Sequence, residues 1–411
     1  MDWYYAIAWA AILVQLLVMY YAVRNYRYAL AKTSGRGPAA YRPRTTVIIP
    51  CKGLDAHFES NIRSFLEQDY DNYRLFFVVE AESDPAYAQL RVLKDKPSQS
   101  SRATDVQLLV AGPSRSCGQK IHNLLYALRH VPDDTEVLAF ADSDICVRRD
   151  WLRCLVRPLR RSTSGVATGY RWFVPTENNL ASLALSAMNA AAAQFLGNSI
   201  LNQAWGGSMA VRLEDFRRLQ IPEIWSNTLS DDLSLSRTIK RAGMRITFVP
   251  ACLVASFESV TWPKLHEFAR RQLLITRVYT PGTWWLGFLS SLGSVVGLWG
   301  GTVAAVYAAA THAEHILLYA AVPIFFFAGL LTRAVLRQLM AVRILKEHLP
   351  QLSRAAAADV LGCSFWSFVL FLCLLSSAFG RTIRWRGIRY KLVSPTEIRI
   401  LSNELPTSTT P

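Results

Sequence analysis

Residues 136–144 read EVLAFADSD. The run Glu136–Ala141 has the length and apolar character of a buried strand, and it stops on two carboxylates, Asp142 and Asp144. Working outward, TTVIIP (45–50) reads as a first buried strand, RLFFVVE (74–80) as a second and Val106–Val110 as a third. Between them lie helical patterns at Phe58–Gln68, Pro85–Leu93 and Lys120–His130, with a polar loop over Lys94–Thr104. Short strands alternating with helices imply βαβ units, a mostly parallel sheet and an α/β fold. Ligands of such sheets bind at the carboxyl ends of the strands. Three acidic clusters fall there or open the next helix: Glu80/Glu82/Asp84, Asp142/Asp144 and Asp231/Asp232.

Two carboxylates two residues apart on extended backbone can divide their work. One reaches a ribose or a metal-bound water, and the other coordinates a divalent ion that neutralises a diphosphate leaving group. Surface turns also produce such triplets, but a carboxylate at a buried strand end is costly without a partner, which favours the functional reading. Asp231 and Asp232 open the pattern DDLSLSRTIKRAG, ending at Gly243. They serve either as an acidic first turn favoured by the helix dipole or, in one of the two, as a general base toward an acceptor hydroxyl.

The chain has 411 residues, 51% of them hydrophobic and 18% charged, with 45 Lys+Arg against 30 Asp+Glu. This excludes a disordered chain. The formal charge of +15 does not indicate nucleic acid, because the basic residues stand beside long uncharged stretches. Seven cysteines without a C-x-x-C spacing fit reduced thiols. From Trp3 to Val23 there are 21 uncharged residues, and a span needs about 20. No small-residue cleavage site follows, so this is an uncleaved anchor. Arg24, Arg27, Lys32, Arg36, Arg42 and Arg44 put its following flank in the cytosol. Further uncharged runs cover 278–313, His315–Thr332 and Val360–Gly380, with Thr311–His315 as the short outer turn. Four crossings would leave Arg381, Arg384, Arg386, Arg389 and Lys391 outside, against the same rule. Either the last run is re-entrant or a hairpin, or the count is off by one. Leu180–Leu196 is apolar but rich in Ala and Ser, and reads as a packed helix.

The ordered set PCKG-x-D (50–55), Asn61, Asp69-Tyr70, VEAESDP (79–85), K-x-HNL (120–124), DSD (142–144), GYRW (169–172), WGGS (205–208), SDD (230–232) and WRGIRY (385–390) resembles the ceramide glucosyltransferase-like family. The resemblance implies a membrane-bound inverting glycosyltransferase with a GT-A-type, Rossmann-like, mostly parallel sheet domain. It implies this organisation: anchor 1–25, basic linker 26–44, glycosyltransferase domain 45–260, interfacial amphipathic segment 261–282, transmembrane helices 283–381 and a basic juxtamembrane tail 382–411. The catalytic domain would face the cytoplasm, with a bacterial plasma membrane favoured by the excess of Arg over Lys.

Residue by residue, the resemblance places Pro50 and Lys52 at the nucleotide pocket and either Glu80 or Glu82 at the first acidic position. Lys120 would lie near the uracil or diphosphate. Asp142 and Asp144 would hold Mg²⁺ or Mn²⁺, and Asp232 would be the base, with Asp231 beside the substrate. Trp205, Gly206 and Gly207 would form the loop around the sugar. His122 and Asn123 are structural. The family's [Q/R]-x-x-R-W motif is degenerate here: Arg271-Gln272-Leu273-Leu274-Ile275 lacks its Arg and Trp, leaving Arg270, Arg271 and Arg277 for phosphate contact. The stray copy Arg381-Thr-Ile-Arg384-Trp385 reads as a basic, aromatic membrane edge. Trp262–Arg277 would be an amphipathic floor with Trp262, Leu265, Phe268 and Leu273 toward lipid. The expected donor is a UDP-sugar, of glucose or N-acetylglucosamine, and the acceptor ceramide, a hopanoid or another membrane alcohol. A processive polysaccharide synthase and a non-enzymatic membrane scaffold or transporter are the other classes to be distinguished.

Overall fold

A computed structural model describes residues 2–33, 41–55, 57–95, 101–314 and 316–403. Arg36, residues 96–100 of the polar loop, His315 of the outer turn and residues 404–411 lie outside them. The chain divides into two compact units: residues 32–171, 200–256 and 381–411 form one, and residues 1–31, 172–199 and 257–380 the other.

The first unit is built on a seven-stranded sheet. Its strands are β1 (Thr45–Pro50), β2 (Tyr73–Val79), β3 (Asp105–Val110), β4 (Val137–Ala141), β5 (Ser164–Pro175), β6 (Ser208–Arg212) and β7 (Arg245–Glu258), in the order β3-β2-β1-β4-β6-β5-β7. β1 pairs in parallel with β2 and β4, and β2 with β3, while β6 runs antiparallel to β4 and β5. This is the mostly parallel α/β sheet expected of a GT-A-type domain. The four strands legible in the sequence are its parallel half. Their apolar runs arise because the sheet is covered on both faces. Val47, Ile49 and Phe77 turn to one core with Trp151, whereas Ile48, Phe76 and Val78 turn to another with Ile121, Phe140 and Trp225, the two-residue period of a strand. The helices following β1, β2 and β3 span Phe58–Leu66, Pro85–Asp95 and Gln119–Leu128, close to their expected bounds.

The basic tail is folded through residue 403. It forms a three-stranded antiparallel sheet of β8 (Thr382–Trp385), β9 (Ile388–Ser394) and β10 (Glu397–Asn403) within this first unit. Ile383, Ile388, Tyr390 and Leu392 are buried by alternation, which puts Arg384, Arg389 and Lys391 on the exposed face of the strands. Arg386, at the β8–β9 turn with φ 47°, donates to the Lys52 carbonyl.

The second unit is helical. Among the described residues three helices are long and apolar enough to cross a membrane: Ala6–Lys32, Pro281–Ala310 and Ile316–Ile344. A further pair, Lys346–Leu361 and Cys363–Ser377, passes the same test jointly but bends by 85°. The bend falls at Gly362, where a Cβ would approach the Ala358 carbonyl to 2.8 Å. Leu180–Ala193 is the packed helix anticipated, its Ala181, Ala184 and Leu185 buried with Leu265, Ala269, Trp366 and Val369. Helix Trp262–Tyr279 corrects the lipid-facing assignment. Leu265 is 1% exposed, and Phe268 and Leu273 pack on the same cluster; Trp262 remains exposed. The seven cysteines carry no disulfide.

Candidate active site

β4 ends at Ala141, so Asp142 and Asp144 leave the sheet at its carboxyl edge. Helix Asp231–Arg241 begins with Ser230 as its cap, the Ser230 hydroxyl accepting from Leu233 N at 3.3 Å. Lys120, in the first turn of helix Gln119–Leu128, joins the two. Its Nζ lies 2.8 Å from Asp142 Oδ1 and 3.2 Å from Asp231 Oδ2. The lysine is therefore a buried bridge between two acidic clusters rather than a solvated first-turn residue. Burial alone would lower its pKa, but Asp142, Asp231 and Asp232 together raise it.

The two aspartates respond in opposite directions. Burial works to raise both, and for Asp142 it is outweighed by Lys120 and Arg171, leaving the carboxyl below its ordinary value. Asp231, 3% exposed, is pushed up to about 6 by burial, with Lys120 opposing and Asp232 and Asp142 reinforcing the rise. Its Oδ2 is buried without a hydrogen-bond partner and has the Lys120 ammonium as counter-charge.

Asp232 is half-buried, with its carboxylate fixed by three donors. Ser230 Oγ donates to Oδ1 at 2.5 Å, Leu233 N donates to Oδ1 at 2.7 Å, and Gly206 N donates to Oδ2 at 3.0 Å. A Cβ at Gly206 would stand 2.7 Å from Lys120 Nζ and against the Asp231 carboxylate, so a side chain there would displace one or both. The glycine lets backbone come up against the acidic cluster.

Arg171, on β5, was part of the GYRW segment but carried no assigned role in the sequence. Its Nη2 lies 3.2 Å from Asp142 Oδ2, its Nη1 3.4 Å from Asp144 Oδ2, and its guanidinium stands 4.8 Å from the Trp205 ring. No sequence signal marks it, because its partners come from the loop after β4. Five aspartates, Asp55, Asp142, Asp144, Asp231 and Asp232, act on three cations, Lys120, Arg171 and Arg386, an excess of two negative charges.

Elsewhere at the sheet edge, Lys52 Nζ pairs with Glu80 Oε2 at 2.8 Å, just after the half-buried Pro50, whereas Glu82 is exposed. Asp84 Oδ1 instead accepts from Gly53 N and Ala86 N, a turn-forming role. His122 Nε2 bonds the Ala111 carbonyl, and Asn123 bonds Gln119 and the Val78 carbonyl. Arg271 and Arg277 belong to the helical unit. Arg271 lies over the Phe268 ring, and Arg277 donates to the carbonyls of Ala378 and Gly380.

Among the described residues no three His, Cys, Asp or Glu side chains form a metal-holding group. Asp142 and Asp144 nevertheless fit Mg²⁺ or Mn²⁺ in chemistry. They are hard oxygen donors in a cluster two charges in excess, and Mg²⁺ commonly takes one or two carboxylates together with substrate phosphates.

Solved structures similar to this chain include the mannosyltransferase PcManGT from Pyrobaculum calidifontis in complex with GDP-Man and Mn²⁺. It is 18% identical, with 90% of this chain and 97% of that one covered and a TM-score of 0.47. Glucosyl-3-phosphoglycerate synthase from Mycobacterium tuberculosis in complex with Mn²⁺ and UDP-glucose is 15% identical, with 60% and 80% covered and a TM-score of 0.36. The family model for glycosyl transferase family 21 matches residues 7–398, nearly the whole length. With that match, an α/β nucleotide-sugar domain and a set of apolar helices in one chain, the protein belongs to glycosyl transferase family 21, the ceramide glucosyltransferase family, and is a membrane-associated glycosyltransferase that uses a nucleotide sugar.

Proposed function

We propose that the chain moves a hexose, glucose in the first instance, from a UDP-sugar to the hydroxyl of a ceramide-like membrane lipid, with inversion at the anomeric carbon. The observation that carries this reading is the sharing of Lys120 by Asp142 and Asp231, which draws a strand end and a helix start into one anionic cluster.

A carboxylate offers about four lone-pair sites. Three donors from the protein orient Asp232, which leaves one site for an acceptor hydroxyl. Asp232 takes that proton as the acceptor oxygen attacks the anomeric carbon, and the bond to UDP breaks on the opposite face. The proton then passes from Asp232 to solvent. Asp142 and Asp144 would hold a divalent cation, which when bound supplies Lewis-acid stabilisation to the departing diphosphate. Lys52 and Glu80 would meet the nucleotide, and Trp205 the sugar.

The lipid acceptor is supported by the apolar helices, whose crossings obey a constraint. Residues 381–403 fold in one compact unit with residues 32–171 and 200–256. Both lie on one side of the membrane, so the number of crossings between residues 256 and 381 is even. Helices Pro281–Ala310 and Ile316–Ile344 supply two, so on this reading the pair bent by 85° is re-entrant, entering and leaving on one side. Three crossings in all then put both basic flanks in the cytosol, removing the conflict that four created.

Asp232→Asn tests the assignment. Turnover should fall about 10²- to 10⁴-fold while UDP binding persists; undiminished turnover rejects the role. Chelation by EDTA should abolish transfer, and Mg²⁺ or Mn²⁺ should restore it. Mass spectrometry of membrane lipids supplied with labelled UDP-sugars identifies the product, and a polymeric product would instead indicate a processive synthase.

A further inference from the structure

We propose that Arg171 is an internal counter-cation that keeps Asp142 and Asp144 closed to divalent metal until nucleotide arrives. The proposal rests on the reading of those two aspartates as metal ligands.

The contacts of Arg171 are those of a loose clasp. Its guanidinium reaches Asp142 at 3.2 Å and Asp144 at 3.4 and 3.5 Å. A tight charge-assisted pair closes to about 2.7–2.9 Å. This chain makes such a pair elsewhere: Arg74 on Asp134 at 2.8 and 2.9 Å. The looseness is not a consequence of solvation, since the Arg171 side chain is only 15% exposed, less than that of Arg74.

Two further features make the clasp releasable. The guanidinium lies 4.8 Å from the Trp205 ring, a cation–π contact that does not depend on the aspartates. The two oxygens of Asp142 are also divided, Oδ1 to Lys120 and Oδ2 to Arg171. Release of Arg171 therefore frees Asp142 Oδ2 and the Asp144 carboxylate while Lys120 still holds Asp142 in place.

A divalent cation and a guanidinium on the same two carboxylates repel each other. Metal alone binds weakly because it must expel Arg171. A nucleotide diphosphate reverses the balance by adding negative charge for both cations, and the freed Arg171 becomes available to the diphosphate. Metal and nucleotide binding are thereby coupled, each strengthening the other by the same factor.

The test titrates the purified full-length protein with Mn²⁺, reading free Mn²⁺ by electron paramagnetic resonance, with and without UDP. Wild type should take up Mn²⁺ weakly alone and more strongly with UDP. Arg171→Met should bind Mn²⁺ alone about tenfold or more tightly than wild type, the scale on which one adjacent charge alters a carboxylate's affinity for a cation, and should gain less from UDP. Arg171→Lys keeps the charge but loses the two-pronged contact; it should fall between and decides the matter if the Met variant does not fold. Mn²⁺ affinity no higher than wild type in the folded variants overturns the clasp while leaving the metal site standing, provided wild type binds Mn²⁺ with UDP. Wild type that takes up no Mn²⁺ even with UDP overturns both.

Discussion

Lys120→Met removes the charge that joins two acidic clusters and retains most of the apolar stem. The Lys120 side chain is 16% exposed and that of Asp231 4%, so the variant leaves Asp231 as a buried carboxylate beside Asp142 and Asp232. Removing one partner of a buried ion pair costs about 3–5 kcal/mol, roughly 6–20 °C in melting temperature for a unit of 150–250 residues. The penalty must also depend on pH. Asp231 already sits at about 6, above its unfolded value of about 3.9. It thus contributes stability that is complete below about pH 4 and lost as pH rises through 6. Asp142, held low, does the reverse: its contribution is present above about pH 4 and lost as pH falls through its folded-state value. Without the ammonium both carboxyls rise, and the loss at Asp231 extends to higher pH. Thermal unfolding of the detergent-solubilised protein, followed by tryptophan fluorescence at pH 5 and pH 8, should show the larger penalty at pH 8. A penalty under about 1 kcal/mol, the scale of a surface pair, or one equal at both pH values, would refute the bridge.

Gly206→Ala should cut transfer about 10²-fold, the usual effect of an ångström-scale displacement near the chemistry, because the new methyl meets Lys120 and Asp231; initial rates with labelled UDP-sugar decide. Asp359→Ala should destabilise the helical unit by about 3–5 kcal/mol, since Arg337, 8% exposed, loses its two-pronged partner; the melting temperature in detergent checks this. In sealed vesicles, the exposed Cys146 and a cysteine placed at exposed Lys391 should react with a membrane-impermeant maleimide from the same side. Labelling from opposite sides would contradict an even number of crossings between the parts of the first unit.

The parallel half of the sheet was legible because strands covered on both faces must be apolar throughout, as TTVIIP and EVLAFA are. β5, β6 and β7 went unread. Gly165, Gly169 and Arg171 interrupt the apolar pattern of β5 and Pro250 that of β7, and β5 pairs with β6 across distant parts of the chain. The acidic clusters could be located by their place at strand ends, yet which of Glu80 and Glu82 pairs with Lys52 is a tertiary contact, and it is Glu80. Arg171 stayed silent for a related reason: an arginine in a strand reports nothing about which carboxylates lie beside it.

By itself the sequence determined the α/β class, the apolar helices and the carboxylates that crowd the strand ends, because periodicity and hydrophobic length are properties of contiguous residues. Tertiary structure alone decided that Lys120 binds Asp142 to Asp231, that Arg171 lies across Asp142 and Asp144, and that residues 381–403 return to the sheet-bearing unit. Each of these is a meeting of charges or strands far apart in the chain, and such a meeting is set by how the folded backbone brings them together and by the cost of burying an unpaired charge.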